Sequence, residues 1–160
     1  MDKLTVIAPV FNEQEVVADF YLCLSEVLRN LKDLEVQILF VVDKSQDATL
    51  TILEEVAKRD PIVSILSLSS RFGHQMCLIA GIEKAQDSEI LVMMDSDLQH
   101  PPSLIPTLLN HYRNGSDVVF TVRNSNNSVG RTRRLLGKIF YYFIGRISTF
   151  QLMQMQPTSG

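Results

Sequence analysis

Ile90-Leu-Val-Met-Met-Asp95-Ser-Asp97-Leu-Gln99-His100-Pro-Pro102 is an uninterrupted apolar run that ends in two carboxylates one residue apart. A short run that is apolar on both faces suits a strand buried inside a parallel sheet, and the proline pair stops it. The two acids therefore leave the sheet at a carboxyl end, where open α/β sheets collect their ligands. Residues 4–8, 36–42, 62–68 and 118–122 have the same apolar, β-branched character. Between the runs, apolar residues recur at helical spacing over residues 13–31, 49–59, 74–85 and 103–114. Strands alternating with helices of this length imply right-handed crossovers. The expected fold is α/β, a doubly wound, mostly parallel sheet flanked by helices.

Composition sets the outer bounds. The chain has 160 residues, 46% hydrophobic and 21% charged, the balance of one ordinary globular domain and not of a disordered or fibrous chain. A core of this size holds without disulfides or a structural metal. Cys23 and Cys77 belong to no CxxC or Cys/His cluster, which speaks against a zinc site or a disulfide framework and fits a reducing compartment. Met1-Asp2-Lys3 passes directly into an apolar strand without the pattern of a signal peptide, so a cytoplasmic location is expected. The longest apolar runs, such as residues 139–144, fall far short of the roughly 20 residues that span a bilayer.

The net charge of −3 hides a division. Residues 1–117 carry all 18 acids and nine bases, whereas residues 118–160 carry six bases and no acid. A cationic end of this kind attracts an anionic partner such as a phosphate, a membrane surface or a nucleic acid. The polar stretch Asn124-Ser-Asn-Asn-Ser-Val-Gly130 separates a body, residues 1–123, from a final segment, residues 124–160. In that segment Leu136, Ile139, Phe140, Phe143, Ile144 and Ile147 recur at helical spacing, with Arg133, Arg134 and Lys138 on other faces. Such an amphipathic helix either packs on a core with its basic side solvated or lies in a membrane interface. The absence of any acid after Asp117 favours the membrane.

The strand ends carry the chemistry-bearing residues. Asp95 and Asp97 stand close enough to share one hard cation and its phosphate oxygens, and Gln99 adds an oxygen donor. Magnesium or manganese suits such a set. The plainer alternative has the two acids opening a solvated turn. Asp43 ends its strand where a carboxylate accepts an N–H from a nucleobase or holds a ribose hydroxyl. Asp47 is expected to cap the helix from Thr49, and Asn12 with Glu15 matches a capping box. Pro9 and Glu13 are ligand candidates. His74 and His100 read as residues that open a helix and bond within a turn, although histidine also suits acid–base work. No Gly-x-Gly-x-x-Gly and no P-loop lysine occurs, so dinucleotide and kinase-type cradles are not supported.

Taken in order, these motifs resemble the family 2 glycosyltransferases of GT-A fold, especially the type acting on polyprenyl phosphates. The marks are Val6-Ile-Ala-Pro-Val-Phe-Asn-Glu13, Val42-Asp-Lys-Ser-Gln-Asp-Ala-Thr49, Arg71-Phe-Gly-His-Gln75, Ala80-Gly81, Met94-Asp-Ser-Asp-Leu-Gln-His-Pro-Pro102 and Asp117-Val-Val-Phe-Thr-Val-Arg123. The resemblance implies that Asp95, Asp97 and Gln99 hold Mg2+ or Mn2+ on the diphosphate of a nucleotide-sugar. It also implies that Pro9, Phe11, Glu13 and Asp43 bind the nucleoside. Val42 stands where the family has the first aspartate of Val-Asp-Asp-Gly-Ser, which leaves Asp43 for base recognition. Relatives continue with an acceptor segment and often membrane helices, so the chain is expected to be a catalytic region truncated before them.

The function so implied is inverting transfer of a sugar, from a UDP-sugar, to a polyprenyl phosphate at the cytoplasmic face of the membrane. A phosphate acceptor is already largely ionised at neutral pH, its second pKa being about 6, so no general base is needed. Arg123, Arg131, Arg133 and Arg134 are the candidates to hold it through paired N–H donors. Competing readings are a soluble glycosyltransferase with a sugar hydroxyl as acceptor, and a nucleotide-binding fragment without turnover. No nucleic-acid partner is expected.

Overall fold

The computed structural model describes residues 1–98 and 101–121. Four strands, β1 (Lys3–Val10), β2 (Glu35–Val42), β3 (Val63–Ser67) and β4 (Ile90–Met93), alternate with helices α1 (Val17–Arg29), α2 (Thr49–Arg59) and α3 (His74–Lys84). A 3-10 turn over Pro102–Leu104 leads into α4 (Ile105–Arg113). The strands form one parallel sheet in the order β3-β2-β1-β4, with β1 paired to β2 from Lys3 opposite Glu35 to Val10 opposite Val42. A compact unit spans Met1–Val119; of the second, Phe120–Gly160, only Phe120 and Thr121 are described.

The expected strands and helices follow from burial on both faces. Val6, Ala8, Val10, Ile38, Phe40 and Val42 alternate onto the face covered by Phe20, Leu24 and Leu28 of α1 and Leu53 of α2. The rings of Phe20 and Phe40 meet edge to face at 6.2 Å between centroids, a favoured aromatic geometry. Ile105 and Leu109 of α4 complete that cluster. Ile7, Leu39 and Val41 point the other way, against Cys77 and Ala85 at α3. Alternation at a period of two thus loads both faces of β1 and β2, and these two strands are the most deeply buried part of the sheet.

Three local expectations are corrected. The helix expected from residue 13 begins at Val17, because the N–H groups of residues 12–14 are bonded to the loop after β2 and the start of α2. The capping box of Asn12 and Glu15 does not form: Asn12 has φ of 54°, and its Oδ1 accepts the N–H of Gln46, 34 residues on. Finally, residues 118–121 of the fifth expected strand form no strand, and Val118 is 68% exposed. A β-branched run needs a hydrogen-bonded neighbour as well as propensity, and none of the described strands pairs with it. Cys23, exposed, and Cys77, buried, are free thiols. Among the described residues no helix is long and apolar enough to cross a membrane.

Candidate functional site

An open crevice of about 360 Å³ lies beyond the carboxyl ends of β1, β2 and β4, lined by the end of β1, by the residues that follow each of the three strands and by the start of α3. Pro9, Phe11, Glu13, Asp43, Asp95 and Asp97, all singled out in the sequence, meet there. Arg71, Gly73, His74, Cys77 and Ser96 line it too. Gln99, Arg123, Arg131, Arg133 and Arg134 lie outside the described residues.

Two loops fasten together to build the first wall. The N–H of Glu13 donates to Thr49 Oγ1 at 2.8 Å, and that of Gln14 to Asp47 Oδ2 at 3.1 Å. In return Gln14 Oε1 accepts the N–H of Ala48, and Asp47 Oδ1 accepts that of Thr49. Asp47 thus bonds the first residue of α2 from one position further out than expected: Ala48, not Asp47, is the N-cap, and no side-chain cap bond forms there. Burial opposes the charge on Asp47, but these N–H donors, with the Thr49 hydroxyl, hold its carboxyl below the ordinary value. Glu13 is pushed the other way, first by burial and then by the charges of Asp97 and Asp47.

Asp43 forms the floor. It is 3% exposed, and its carboxylate accepts three backbone N–H groups: Lys44 at 3.1 Å, Phe72 at 2.9 Å and Gly73 at 2.9 Å. Burial again opposes the charge, but those bonds, with the Arg71 guanidinium nearby, lower its pKa. Cys77 sits beside it, its thiol pushed up by burial and by the Asp43 charge.

The second wall is cationic at its lip. The Arg71 guanidinium carbon stands 4.3 Å from the centroid of the Phe11 ring, a cation–π contact that joins the loop after β3 to the loop after β1. His74 opens α3 and places Nε2 3.1 Å from Asp95 Oδ1, with each side chain about half exposed. His74 opens α3 as expected, and its partner is a crevice carboxylate, whereas His100, expected to bond within a turn, lies outside the described residues.

Asp95, Ser96 and Asp97 follow β4 directly. Met94 continues the strand with an N–H to Ile7 O at 3.1 Å, and buried Ser96 gives its hydroxyl to Pro9 O at 3.4 Å. Ser96 therefore anchors the turn to β1 while the acids on either side stay exposed. Leu98 then adopts φ of 58°, a conformation rare for a branched side chain. Among the described residues no three His, Cys, Asp or Glu side chains are arranged to hold a metal by themselves. Two exposed carboxylates at a strand end do suit a hard cation that keeps its other positions for water and phosphate oxygens.

Sequence reading missed the part played by Arg71. Its signal was present in Arg71-Phe-Gly-His, but a cation–π partner on another loop leaves no trace in local spacing.

Comparison with known proteins bears on this arrangement. The chain is 37% identical over 147 residues to the bactoprenol glucosyl transferase of Shigella phage SfV, a match covering 92% of this chain and 47% of that protein. It is 36% identical over 146 residues to the prophage bactoprenol glucosyl transferase homolog of Escherichia coli K12, covering 91% and 47%. The chain therefore spans about half the length of the curated relatives it matches. Among solved structures, the mannosyltransferase PcManGT from Pyrobaculum calidifontis, in complex with GDP-Man and Mn2+, aligns with a TM-score of 0.52 and 24% identity. That alignment covers 59% of this chain and 27% of that one. TarS residues 1–349 from S. aureus align with a TM-score of 0.52 and 18% identity, over 78% and 37%. These likenesses show the GT-A type of fold. The family model described as glycosyl transferase family 2 matches residues 5–159, so the motifs at the strand ends and nearly the whole length agree: the chain belongs to glycosyl transferase family 2.

Proposed function

We propose that this chain carries the donor-binding and catalytic part of a transferase that moves a sugar from a nucleotide-sugar, a UDP-sugar, to a polyprenyl phosphate. The observation that carries the reading is the crevice itself. Glu13, Asp43, Asp95 and Asp97 converge there, against Arg71 as the only lysine or arginine among its described lining residues. A diphosphate entering such a site meets repulsion unless a cation accompanies it. Asp95 and Asp97, with Gln99 following, would hold Mg2+ or Mn2+, which neutralises charge on the departing diphosphate. The mannosyltransferase bound to GDP-Man and Mn2+ supports this choice of ligand class.

In this reading Pro9, Phe11 and Glu13 line the nucleoside end, with Asp43 as its floor and Phe11 and Arg71 making its aromatic and cationic lip. Arg123, Arg131, Arg133 and Arg134 bind the acceptor phosphate by paired N–H donors. The acceptor is ionised already, so the protein's contribution is to hold the phosphate in line with the anomeric carbon. Single displacement inverts that centre. Residues 1–123 form the donor-binding body and residues 124–160 the membrane-facing part at the cytoplasmic surface. UDP and the polyprenyl acceptor are assigned from the bactoprenol glucosyl transferases.

The test is transfer of labelled glucose from UDP-glucose to undecaprenyl phosphate in detergent with Mn2+. A solvent-extractable, acid-labile glycolipid is expected. Release of free glucose alone, or no turnover with any of a panel of UDP- and GDP-sugars, overturns the reading.

A further inference from the structure

We propose that Asp43 is a positioning residue, one that sets the shape of the nucleotide crevice by clamping the Phe72-Gly73 turn to the end of β2. This deepens the proposed function and rests on it. A carboxylate at a crevice floor invites assignment as a direct ligand for the base. Its surroundings point elsewhere. Both oxygens are occupied, Oδ1 by the N–H groups of Lys44 and Phe72 and Oδ2 by that of Gly73. The residue is 3% exposed, and its own N–H is fixed to Val10 O at 2.9 Å. Asp43 is thereby tied to β1, to its own loop and to the turn before α3.

The turn needs that tie. Gly73 has φ of 87° and ψ of 164°, a conformation L side chains rarely adopt, and no side chain caps α3 behind it. Consecutive N–H groups presented in this way form a concavity suited to an anion, and the Asp43 carboxylate fills it. On either side of the turn stand the two residues that reach across the crevice. Arg71 stacks on Phe11 of the β1 loop, and His74 meets Asp95 after β4. Removing the clamp frees both contacts together, so Asp43 acts on the nucleotide through Arg71 and His74.

The experiment has two arms on the full chain. Hydrogen exchange without ligand reads the clamp. The Phe72 and Gly73 amides should be protected in the parent and lose protection by at least tenfold in Asp43→Asn, whose NH2 group replaces one acceptor. Equal exchange in both proteins overturns the proposal. Calorimetry with UDP and with GDP, each with Mn2+, reads the coupling to the ligand. Asp43→Asn should weaken both nucleotides by a similar factor, roughly tenfold, by less in an Arg71→Ala background, and by less than about twofold where His74→Ala is added to it. Gly73→Ala, which leaves the carboxylate in place but strains the turn, should reproduce the loss. A loss that changes the UDP to GDP preference, or that persists undiminished without Arg71, would mean direct base contact and overturn the proposal. If the parent binds neither nucleotide, the donor reading fails while hydrogen exchange still decides the clamp.

Discussion

Gly81 of α3 lies against Ile7 of β1 so closely that a Cβ on the glycine would stand 2.5 Å from Ile7 Cγ2 and 3.1 Å from Val41 Cγ2. The backbone of the helix that brings His74 to the crevice thus rests directly on the Ile7 and Val41 side chains of the two central strands, with no side chain of its own between. Its distance from the sheet, and hence the height of its first residue above the crevice floor, depends on that missing methyl group.

Gly81→Ala is accordingly expected to destabilise the fold by about 1–3 kcal/mol, the usual cost of overpacking a filled core. Ile7 and Val41 belong to central strands and cannot turn away as a surface side chain would. Thermal or urea unfolding measures the change. In Gly81→Ala combined with Ile7→Ala the cost should fall below the sum of the single variants, since one removes the atom the other strikes. Strict additivity would show that the helix shifts freely and that the close approach does not define its place.

Residues that face both sides of the sheet were legible in the sequence because alternation at a period of two is local, as Val6, Ile7 and Ala8 show. The gathering of Pro9, Glu13, Asp43, Asp95 and Asp97 was legible for a related reason: parallel strands bring their carboxyl ends to one edge whatever their separation along the chain. Asn12 was misread because its partner, Gln46, is distant in sequence, so a local capping pattern competed with a non-local bond and lost. The Asp43 bonds to Phe72 and Gly73 were invisible for the same reason. Residues 118–121 show the converse, a strand-like composition to which no described strand is paired.

Acid stability should report on Asp60. Its carboxylate is buried at the end of α2 and accepts from the Tyr21 hydroxyl at 2.7 Å, Arg29 at 2.8 Å and the Ile62 N–H at 3.3 Å. Burial opposes the charge, but these donors lower the pKa below its ordinary value of 3.8. A depressed folded pKa contributes stability that is complete above the unfolded value and is lost as pH falls through the folded one. Asp60→Asn should therefore cost about 1–3 kcal/mol at neutral pH and flatten the loss of stability below about pH 4. Urea titrations at several pH values measure both. A variant with an unchanged acid limb would assign that limb to other carboxylates, Asp43 and Asp47 first among them.

The acid-free, six-base stretch after Asp117 carries a separate expectation, drawn from sequence because residues 122–160 lie outside the described residues. Each basic residue near an anionic surface contributes about 1 kcal/mol, and the attraction fades with salt. The chain should sediment with phosphatidylglycerol vesicles at low salt and release at high salt. Replacing Arg131, Arg133 and Arg134 by alanine should weaken binding by an order of magnitude or more. No sedimentation at low salt would remove the membrane surface as the place of reaction.

The acids after β4 give the most direct test of the donor site. Asp97 stands exposed beyond the strand, on the far side of Ser96 from Asp95, and its charge is felt at Glu13. A nucleoside diphosphate brought into this company is repelled unless a divalent cation comes with it. Calorimetry with UDP should accordingly show binding in Mn2+ that falls at least tenfold in EDTA. Asp97→Ala should abolish that difference and leave the cooperative unfolding transition within about 0.5 kcal/mol of the parent, as expected of an exposed side chain outside the core. Ser96→Ala provides the contrast. It removes the hydroxyl that anchors the turn to Pro9 and leaves both acids in place, so it should weaken binding less than Asp97→Ala and destabilise the fold more. Equal UDP affinity in Mn2+ and EDTA, or loss of the unfolding transition in Asp97→Ala, would make these acids part of the scaffold and not of the donor site.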